Sequence, residues 1–153
     1  MLDILDINPS NSVLEVGSGP WVGLELAPAR ARDGRVVGVD LSETMLEMAS
    51  RRTRALIEGG RVELHLGSVN KLPFDDATFE KAMTMNSLHL CTDPVAGLRE
   101  IRRTLRTGGR IVVAITRFSY ASSDRFEQYL IDSGFIDVSI QSGEPGTCAL
   151  GRA

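Results

Sequence analysis

The residues best suited to chemistry form a glycine turn directly after the first apolar segment. The segment 13–16 has strand character, and Gly17 and Gly19 follow it with one residue between them. Because glycine has no Cβ, the chain can turn tightly and a ligand can approach bare peptide groups. Pro20 suits the first position of a helix, whose N-terminus presents free N–H groups. The pattern predicts a site for a nucleotide-like ligand, and a tight turn without a ligand is the alternative.

Two acidic residues near the turn narrow the kind of ligand. Glu15 lies inside the apolar segment, where an unpaired carboxylate is costly to bury, so we expect a cationic group or backbone amides beside it. Asp40 ends a second apolar run and lies 21 residues after Gly19. An acidic residue at that separation binds ribose hydroxyls in dinucleotide-binding folds. An N-cap of the following helix is the alternative role for Asp40.

Alternating strand and helix patterns describe the elements that must position these residues. Strands are predicted over 13–16, 35–39, 61–66, 80–85, 110–115, 135–140 and 147–150. The third has the alternation of an edge strand, and the last is expected to run antiparallel. Helices are predicted from about Pro20, after Ser42, after Asp93, and after Ser122 or Ser123, with Pro28 ending or kinking the first one. This order predicts an α/β fold, a three-layer sandwich around a mostly parallel seven-stranded sheet.

The predicted sheet brings the polar and glycine-rich segments to one edge. Ligands of open parallel sheets bind beyond the carboxyl ends of the strands. The segments 15–19, 68–69 and 86–89, together with Asp40, all lie at such ends. Four separate segments therefore converge on one rim.

Composition limits the class of protein. The 153 residues predict a single domain, 1–153, large enough to bury a core without disulfides. A net charge of −3 gives no basic surface for nucleic acid. Cys91 and Cys148 have no metal-like spacing, no metal is expected, and no apolar run has membrane-spanning length. We therefore expect a cytoplasmic protein with no role at a membrane.

Several segments together resemble the class I S-adenosylmethionine-dependent methyltransferases. The segment 15–19 is similar to the first motif of that family, and 37–42 is similar to its acidic-loop motif. The likeness continues through 67–74, 76–80 and 98–110, in the order of the family. The resemblance covers nearly the whole chain and implies a Rossmann-like fold, S-adenosyl-L-methionine as cofactor, and transfer of its methyl group.

The resemblance also implies which residues hold the cofactor. It assigns the glycines of the turn to the methionine portion, Asp40 to the ribose, Leu41 to one face of the adenine, and Ser68 and Val69 to the adenine edge and face. The predicted cofactor-binding residues are Glu15, Gly17, Ser18, Gly19, Asp40, Leu41, Ser68, Val69 and Asn86. The chain departs from the family at Ser68, where Asp is common, and at Trp21, where Gly is common.

No residue is assigned a catalytic role from the sequence. Methyl transfer to a reactive nucleophile depends mainly on proximity and alignment. His89 stands where the family contacts the acceptor and is chemically suited to act as a base, although a structural or solvent-facing histidine is the favoured role. The acceptor is expected to be a small molecule.

Three functions remain open at this stage. A methyltransferase is the favoured function. An NAD-linked oxidoreductase, which would use the same turn and Asp40, is the second, and a non-catalytic relative of the fold is the third. Only twelve residues precede Val13, and the segment 116–135 is short, so the rim lacks an obvious roof. We therefore expect a homodimer or a lid-supplying partner, with Trp21, Leu41, Leu88 and Leu90 as exposed apolar groups.

Overall fold

A seven-stranded sheet forms the middle layer of the protein. The computed structural model describes residues 1–19, 23–119 and 122–153. The strands are β1 (Ser12–Val16), β2 (Arg35–Asp40), β3 (Val62–Leu66), β4 (Phe79–Met85), β5 (Leu105–Thr116), β6 (Ile136–Gly143) and β7 (Gly146–Arg152). Their spatial order is β3-β2-β1-β4-β5-β7-β6, and β7 alone runs antiparallel to its neighbours. The predicted α/β fold, its edge strand and its antiparallel last strand are confirmed.

Helices cover both faces of this sheet. They are α1 (Leu2–Leu5), α2 (Gly23–Arg30), α3 (Glu43–Glu58), α4 (Pro94–Thr104) and α5 (Phe126–Asp132), with a 3₁₀ helix at Leu88–Leu90. One core cluster joins α1, α2 and α3 to one face, and a second joins α4 and α5 to the other. Successive residues of β1 point to opposite clusters, with Val13 in one and Leu14 in the other. Burial on both faces explains why β1 and β2 are almost continuously apolar.

The helix caps predicted after the second and fourth strands are present. Ser42 Oγ accepts a hydrogen bond from Met45 N at 3.3 Å at the start of α3. Asp93 Oδ1 accepts one from Ala96 N at 3.0 Å at the start of α4. Each cap satisfies an N–H that has no partner within its own helix. These two helices therefore begin where the sequence predicted.

Three details of the secondary structure differ from prediction. Helix α2 continues two residues past Pro28, and Ala31 N still donates to Ala27 O at 2.9 Å. Strand β5 begins at Leu105 rather than at 110, because Leu105 pairs with Phe79 before a register shift. Helix α5 has Arg125 at its N-cap, with no side-chain cap, while Ser122 Oγ accepts from Asp124 N one turn earlier. The predicted start of the first helix, including Pro20 and Trp21, lies outside the described residues.

No helix in the described ranges has the length and the apolar composition that crossing a membrane requires.

Candidate active site

Asp40 and the glycine turn meet at the carboxyl ends of β1 and β2. Gly17 N donates to Val39 O at 2.8 Å, which joins the turn to β2. The two carboxylate oxygens of Asp40 then accept one backbone amide each, Gly19 N at 3.0 Å and Ser42 N at 2.9 Å. Asp40 therefore links the glycine turn to the start of α3. The predicted pairing of this acidic residue with the turn is present in the fold.

Gly17 lies against a serine that follows β4. The backbone at Gly17 has a φ of +69°, and a Cβ built there would overlap Cβ and Oγ of Ser87. Ser87 Oγ itself donates to Val16 O at 3.2 Å and lies 2.5 Å from Thr84 Oγ1. The first glycine is therefore required by this close contact between two loops as well as by its φ.

Glu15 is the most deeply buried carboxyl group near the turn. Its side chain lies beside the first residue of α2, so that a Cβ on Gly23 would overlap both carboxyl oxygens. The Leu24 N–H donates to this carboxyl, and no described residue contacts Oε2 within hydrogen-bonding distance. Burial raises the pKa of Glu15 to about 8, and the Leu24 hydrogen bond opposes only part of that effect. Of the two partners that the sequence left open for Glu15, a cationic group or backbone amides, the described residues supply one backbone amide, that of Leu24.

Ser18 occupies the middle of the turn and has its side chain inside the protein. It is fully buried, and Oγ has no hydrogen-bond partner among the described residues. A buried hydroxyl without a partner is uncommon in native structures. Ser18 and Glu15 thus supply two polar groups at the turn whose hydrogen-bonding capacity is not fully used.

The residues predicted to enclose the adenine differ in exposure. Leu41 follows Asp40 and is 71% exposed, so an apolar side chain stands open beside the proposed ribose site. Val69 is buried and packs towards Gly97 of α4, leaving little of its side chain for a ligand. Ser68 Oγ accepts a hydrogen bond from Asn70 N at 3.2 Å. Leu41 is therefore free to cover a flat base, whereas Val69 can offer mainly its backbone.

The loop that carries Ser68 and Val69 is fastened to α4 by an ionic network. Glu100 Oε1 accepts from Leu72 N at 2.9 Å, and Arg103 donates to both oxygens of Glu100. Arg103 also pairs with Asp76 at 2.6 Å. Hydrogen bonding to Arg103 lowers the pKa of Glu100, which keeps the network charged. This network positions the segment 68–76 at the rim.

Asn86 has a structural task at the end of β4. Its backbone has a φ of +52°, and its Oδ1 accepts from Thr116 N at 2.9 Å. Its Nδ2 donates to Thr116 Oγ1 at 3.2 Å. Asn86 therefore joins the carboxyl ends of β4 and β5. It lies at the rim, as predicted, but its side chain already bonds to Thr116.

The segment after Asn86 divides into buried and exposed residues. Leu88 is only 4% exposed and belongs to the core, so the prediction that it is exposed at the rim is wrong. Leu90 is 76% exposed, and His89 beside it is also exposed. One face of the short 3₁₀ helix packs on the core and the other faces solvent, so Leu88 is buried whereas His89 and Leu90 are exposed. Trp21 lies outside the described residues.

Comparison with known proteins identifies the arrangement. The methyltransferase domain family matches residues 14–113, from β1 into β5. The chain belongs to the class I S-adenosylmethionine-dependent methyltransferases. The predicted family, the enzyme class and the cofactor, S-adenosyl-L-methionine, are thereby confirmed, and the NAD-linked alternative is displaced.

Relatives of this methyltransferase domain agree over most of its length. It is 44% identical over 114 residues to a 37.1 kDa protein in transposon TN4556 of Streptomyces fradiae, covering 74% of this chain and 32% of that protein. It is 30% identical over 145 residues to the methyltransferase YdaC of Bacillus subtilis, covering 90% of this chain and 78% of the relative. A SAM-dependent methyltransferase from Aquifex aeolicus has the same fold, with a TM-score of 0.80 at 19% identity over 99% of this chain and 86% of that one.

Three residues at the candidate site were given no role of their own in the sequence predictions. Ser87, Gly23 and Thr116 contact Gly17, Glu15 and Asn86 respectively. Each contact joins positions that are distant in the chain or lie on different elements. The sequence offered a signal only for Gly23, which is a third glycine shortly after the turn. A side chain at Gly23 would overlap the Glu15 carboxyl.

Proposed function

We propose that this methyltransferase domain transfers the methyl group of S-adenosyl-L-methionine to a small-molecule acceptor. The observation that carries the proposal is the meeting of Gly19 and Asp40, with the buried Glu15 carboxyl two residues before the turn. Backbone amides, a ribose acceptor and a carboxyl group for an ammonium are thereby gathered at the carboxyl ends of β1 and β2. This is the edge at which parallel sheets bind their ligands.

The described residues suit the parts of this cofactor. Asp40 would accept hydrogen bonds from the ribose hydroxyls, and Leu41 would cover one face of the adenine. Glu15 would lie towards the ammonium group of the methionine portion, where Oε2 lacks a described partner. Gly17, Ser18 and Gly19 would carry the backbone along the methionine portion, Ser68 and Val69 would lie at the adenine edge, and Asn86 would fix the floor of the site.

The protein contributes alignment to the transfer. When bound, the cofactor supplies a methyl carbon on a sulfonium, and the lone pair of the acceptor bonds to that carbon as the carbon–sulfur bond breaks and its electron pair stays on sulfur. The proton of the acceptor leaves to solvent. The rim residues would hold the reacting groups in line, which is the main requirement of such a reaction. His89 is exposed, so a role as base has no support from its position.

Calorimetric titration of the whole chain tests the cofactor site. We expect S-adenosylhomocysteine to bind and NAD not to bind. We expect 5′-methylthioadenosine to bind at least about tenfold more weakly, because it lacks the amino-acid part of the cofactor, including the ammonium that Glu15 would meet. Equal affinity for S-adenosylhomocysteine and 5′-methylthioadenosine would remove Glu15 from the site. Absence of S-adenosylhomocysteine binding would contradict the proposed function.

The domain organisation, cellular location and assembly of the protein are part of the same proposal. A single domain over residues 1–153, a cytoplasmic location, and a homodimer or a lid-supplying partner over the rim all stay predictions. The two free thiols, Cys91 and Cys148, support a reducing compartment. A transfer assay with the isolated chain distinguishes an enzyme from a non-catalytic relative that only binds the cofactor.

A further inference from the structure

The Glu15 carboxyl lies among uncharged neighbours in the interior of the protein. Within the sheet, Glu15 pairs with Gly38 of β2 and with Met83 of β4, and neither neighbour carries a charge. Gly23 and Leu24, at the start of α2, lie against the carboxyl from outside the sheet. Glu15 is only 1% exposed, so bulk water does not stabilise a charge on it.

Charged groups on the surrounding elements do not take the place of that water. On this face of the sheet they are the Met1 amino group and Asp3 at α1, Glu25 and Arg30 of α2, Arg52 of α3, Asp40 of β2 and Lys81 of β4. Arg30 pairs with Asp3, and Arg52 pairs with Glu25 at 2.6 Å. Burial and the Leu24 hydrogen bond are the causes that shift the Glu15 pKa, and no charge of a described residue is among them.

A carboxyl group in these surroundings keeps its proton at neutral pH. Burial raises the pKa of Glu15 to about 8, and Oε2 has no hydrogen-bond partner among the described residues. An opposite charge within about 4–6 Å favours the ionised form of such a group. A cation that arrived at the glycine turn would therefore reverse the protonation of Glu15.

We infer that Glu15 gives up its proton when the cofactor binds, so that capture of the methionine ammonium and ionisation of this carboxyl are one coupled event. The inference rests on the proposed function, because it requires the methionine portion to lie along the turn at Gly17 and Gly19. In the free protein the carboxyl is neutral. In the complex its proton has passed to the buffer, and the carboxylate faces the ammonium. No covalent bond of the cofactor changes in this step.

Affinity for the cofactor is expected to rise with pH. Below about pH 8 the free protein must lose the Glu15 proton before the carboxylate can pair with the ammonium. Each decrease of one pH unit makes that loss up to about tenfold less favourable. A ligand without an ammonium meets the neutral carboxyl directly and has no such dependence.

Calorimetry of the whole chain tests the coupling. We expect the affinity for S-adenosylhomocysteine to rise at least about tenfold from pH 6 to pH 8, and the affinity for 5′-methylthioadenosine, which lacks the ammonium, to change less than about threefold. Titrations at pH 7 in buffers of different ionisation enthalpy should show release of roughly one proton for each S-adenosylhomocysteine bound. Binding without proton release, or an equal rise for both ligands, would overturn the inference.

Glu15→Gln and Glu144→Gln form a matched pair of variants. A glutamine at position 15 is neutral at every pH, so we expect Glu15→Gln to release no proton and to bind S-adenosylhomocysteine equally at pH 6 and pH 8, within about threefold. Glu144 is exposed and pairs with Arg117 at 3.8 Å, so Glu144→Gln should behave as the parent chain does. Both variants meet the same ligand, so titration of the ligand itself would appear in both. A tenfold rise that persists in Glu15→Gln would overturn the inference.

The outcomes separate this inference from the proposed function. If S-adenosylhomocysteine binds with the same affinity at pH 6 and pH 8, the coupling is wrong while the cofactor site stands. If it binds at neither pH, the proposed function is contradicted and the coupling with it. Urea unfolding at both pH values checks that the variants are folded. Should Glu15→Gln fail to fold, proton release by the parent chain and the comparison with 5′-methylthioadenosine still decide the question.

Discussion

At the residue scale, Glu15 is a carboxyl group kept where its charge is disfavoured. It is 1% exposed, and the Leu24 N–H is its one hydrogen-bond donor among the described residues. The folded protein holds the proton up to about pH 8, whereas an unfolded glutamate loses it near 4.5. The stability due to the neutral carboxyl is therefore complete below about pH 4.5 and is lost as the pH rises to about 8.

Glu15→Gln should remove this pH dependence. The variant keeps a neutral side chain of the same shape, so we expect its free energy of unfolding to match the parent near pH 4 and to exceed it by about 4 kcal/mol at pH 8, with a ceiling of about 5 kcal/mol. Urea unfolding across this pH range measures the difference. Glu144→Gln, at an exposed position, serves as the control and should show no such trend. A constant difference between Glu15→Gln and the parent would contradict the raised pKa.

Asp40→Ala should weaken the cofactor. Because a charged acceptor for the ribose is lost and Gly19 N and Ser42 N lose their partner, we expect the affinity for S-adenosylhomocysteine to fall by about 1.5–3 kcal/mol. Calorimetry measures the loss, and Asp33→Ala, at an exposed position, is the control. Unchanged affinity in Asp40→Ala would make this residue only a structural link between the turn and α3.

At the scale of elements, the site depends on how the loop after β4 fits against the turn after β1. Gly17 and Ser87 touch across this boundary, and Ser87 in turn bonds to Val16 O. Bulk on Gly17 would therefore push the two loops apart before it reached any ligand. The glycine is thus required first by packing, a reason that the sequence alone does not contain.

Gly17→Ala and Gly60→Ala separate packing from backbone conformation. Both glycines have similar φ values, +69° and +67°, but a Cβ on Gly60 would meet nothing within 4 Å. We expect Gly60→Ala to cost about 1 kcal/mol of stability and to leave the cofactor affinity unchanged. Gly17→Ala should cost more and weaken S-adenosylhomocysteine at least about tenfold, because the Ser87 contact must open. Equal effects in unfolding and calorimetry would show that φ alone matters.

The sequence predicted the secondary-structure elements and the rim at the strand ends better than it predicted the contacts between side chains. The strands along the chain and the convergence of Asp40 and the glycine turn on one rim follow from apolar patterning and from the geometry of parallel strands, so a single sequence suffices. The Gly17–Ser87 contact joins residues 70 positions apart and depends on packing at the scale of single atoms, which no local pattern encodes. The predicted serine cap of α5 is wrong because the N-cap residue is Arg125, and Ser123 bonds to the helix only through its backbone carbonyl, which accepts from Phe126 N at 3.0 Å.

At the scale of the whole molecule, the rim exposes fewer apolar groups than predicted. Leu41 and Leu90 are 71% and 76% exposed, whereas Leu88 is buried. These two leucines lie at opposite sides of the proposed cofactor site, after β2 and after β4. Leu66, at the end of β3, and Phe118, shortly after β5, are also exposed, at 54% and 78%. A cover over the rim therefore has several apolar contacts among the described residues, and the expected dimer or lid depends on them.

Light scattering with size-exclusion chromatography tests this assembly. We expect a dimer that loses stability in Leu90→Asp, because a charge would replace an apolar contact. Ile131→Asp is the control, since Ile131 is also exposed, at 49%, but lies in the last turn of α5. A parent chain that elutes as a monomer and methylates an acceptor unaided would contradict the expectation.

The ionic network on α4 holds the segment 68–76 from the same face of the sheet on which Val69 and Leu72 pack. Glu100 and Arg103 hold Leu72 and Asp76, and Gly97 leaves the room that Val69 fills. Substitutions in α4 would therefore change the position of Val69 and Leu72, and through them the proposed cofactor site, without contacting the cofactor. Loss of the Arg103 contacts to Glu100 and Asp76 would therefore loosen the segment 68–76 while leaving the carboxyl ends of β1 and β2 untouched.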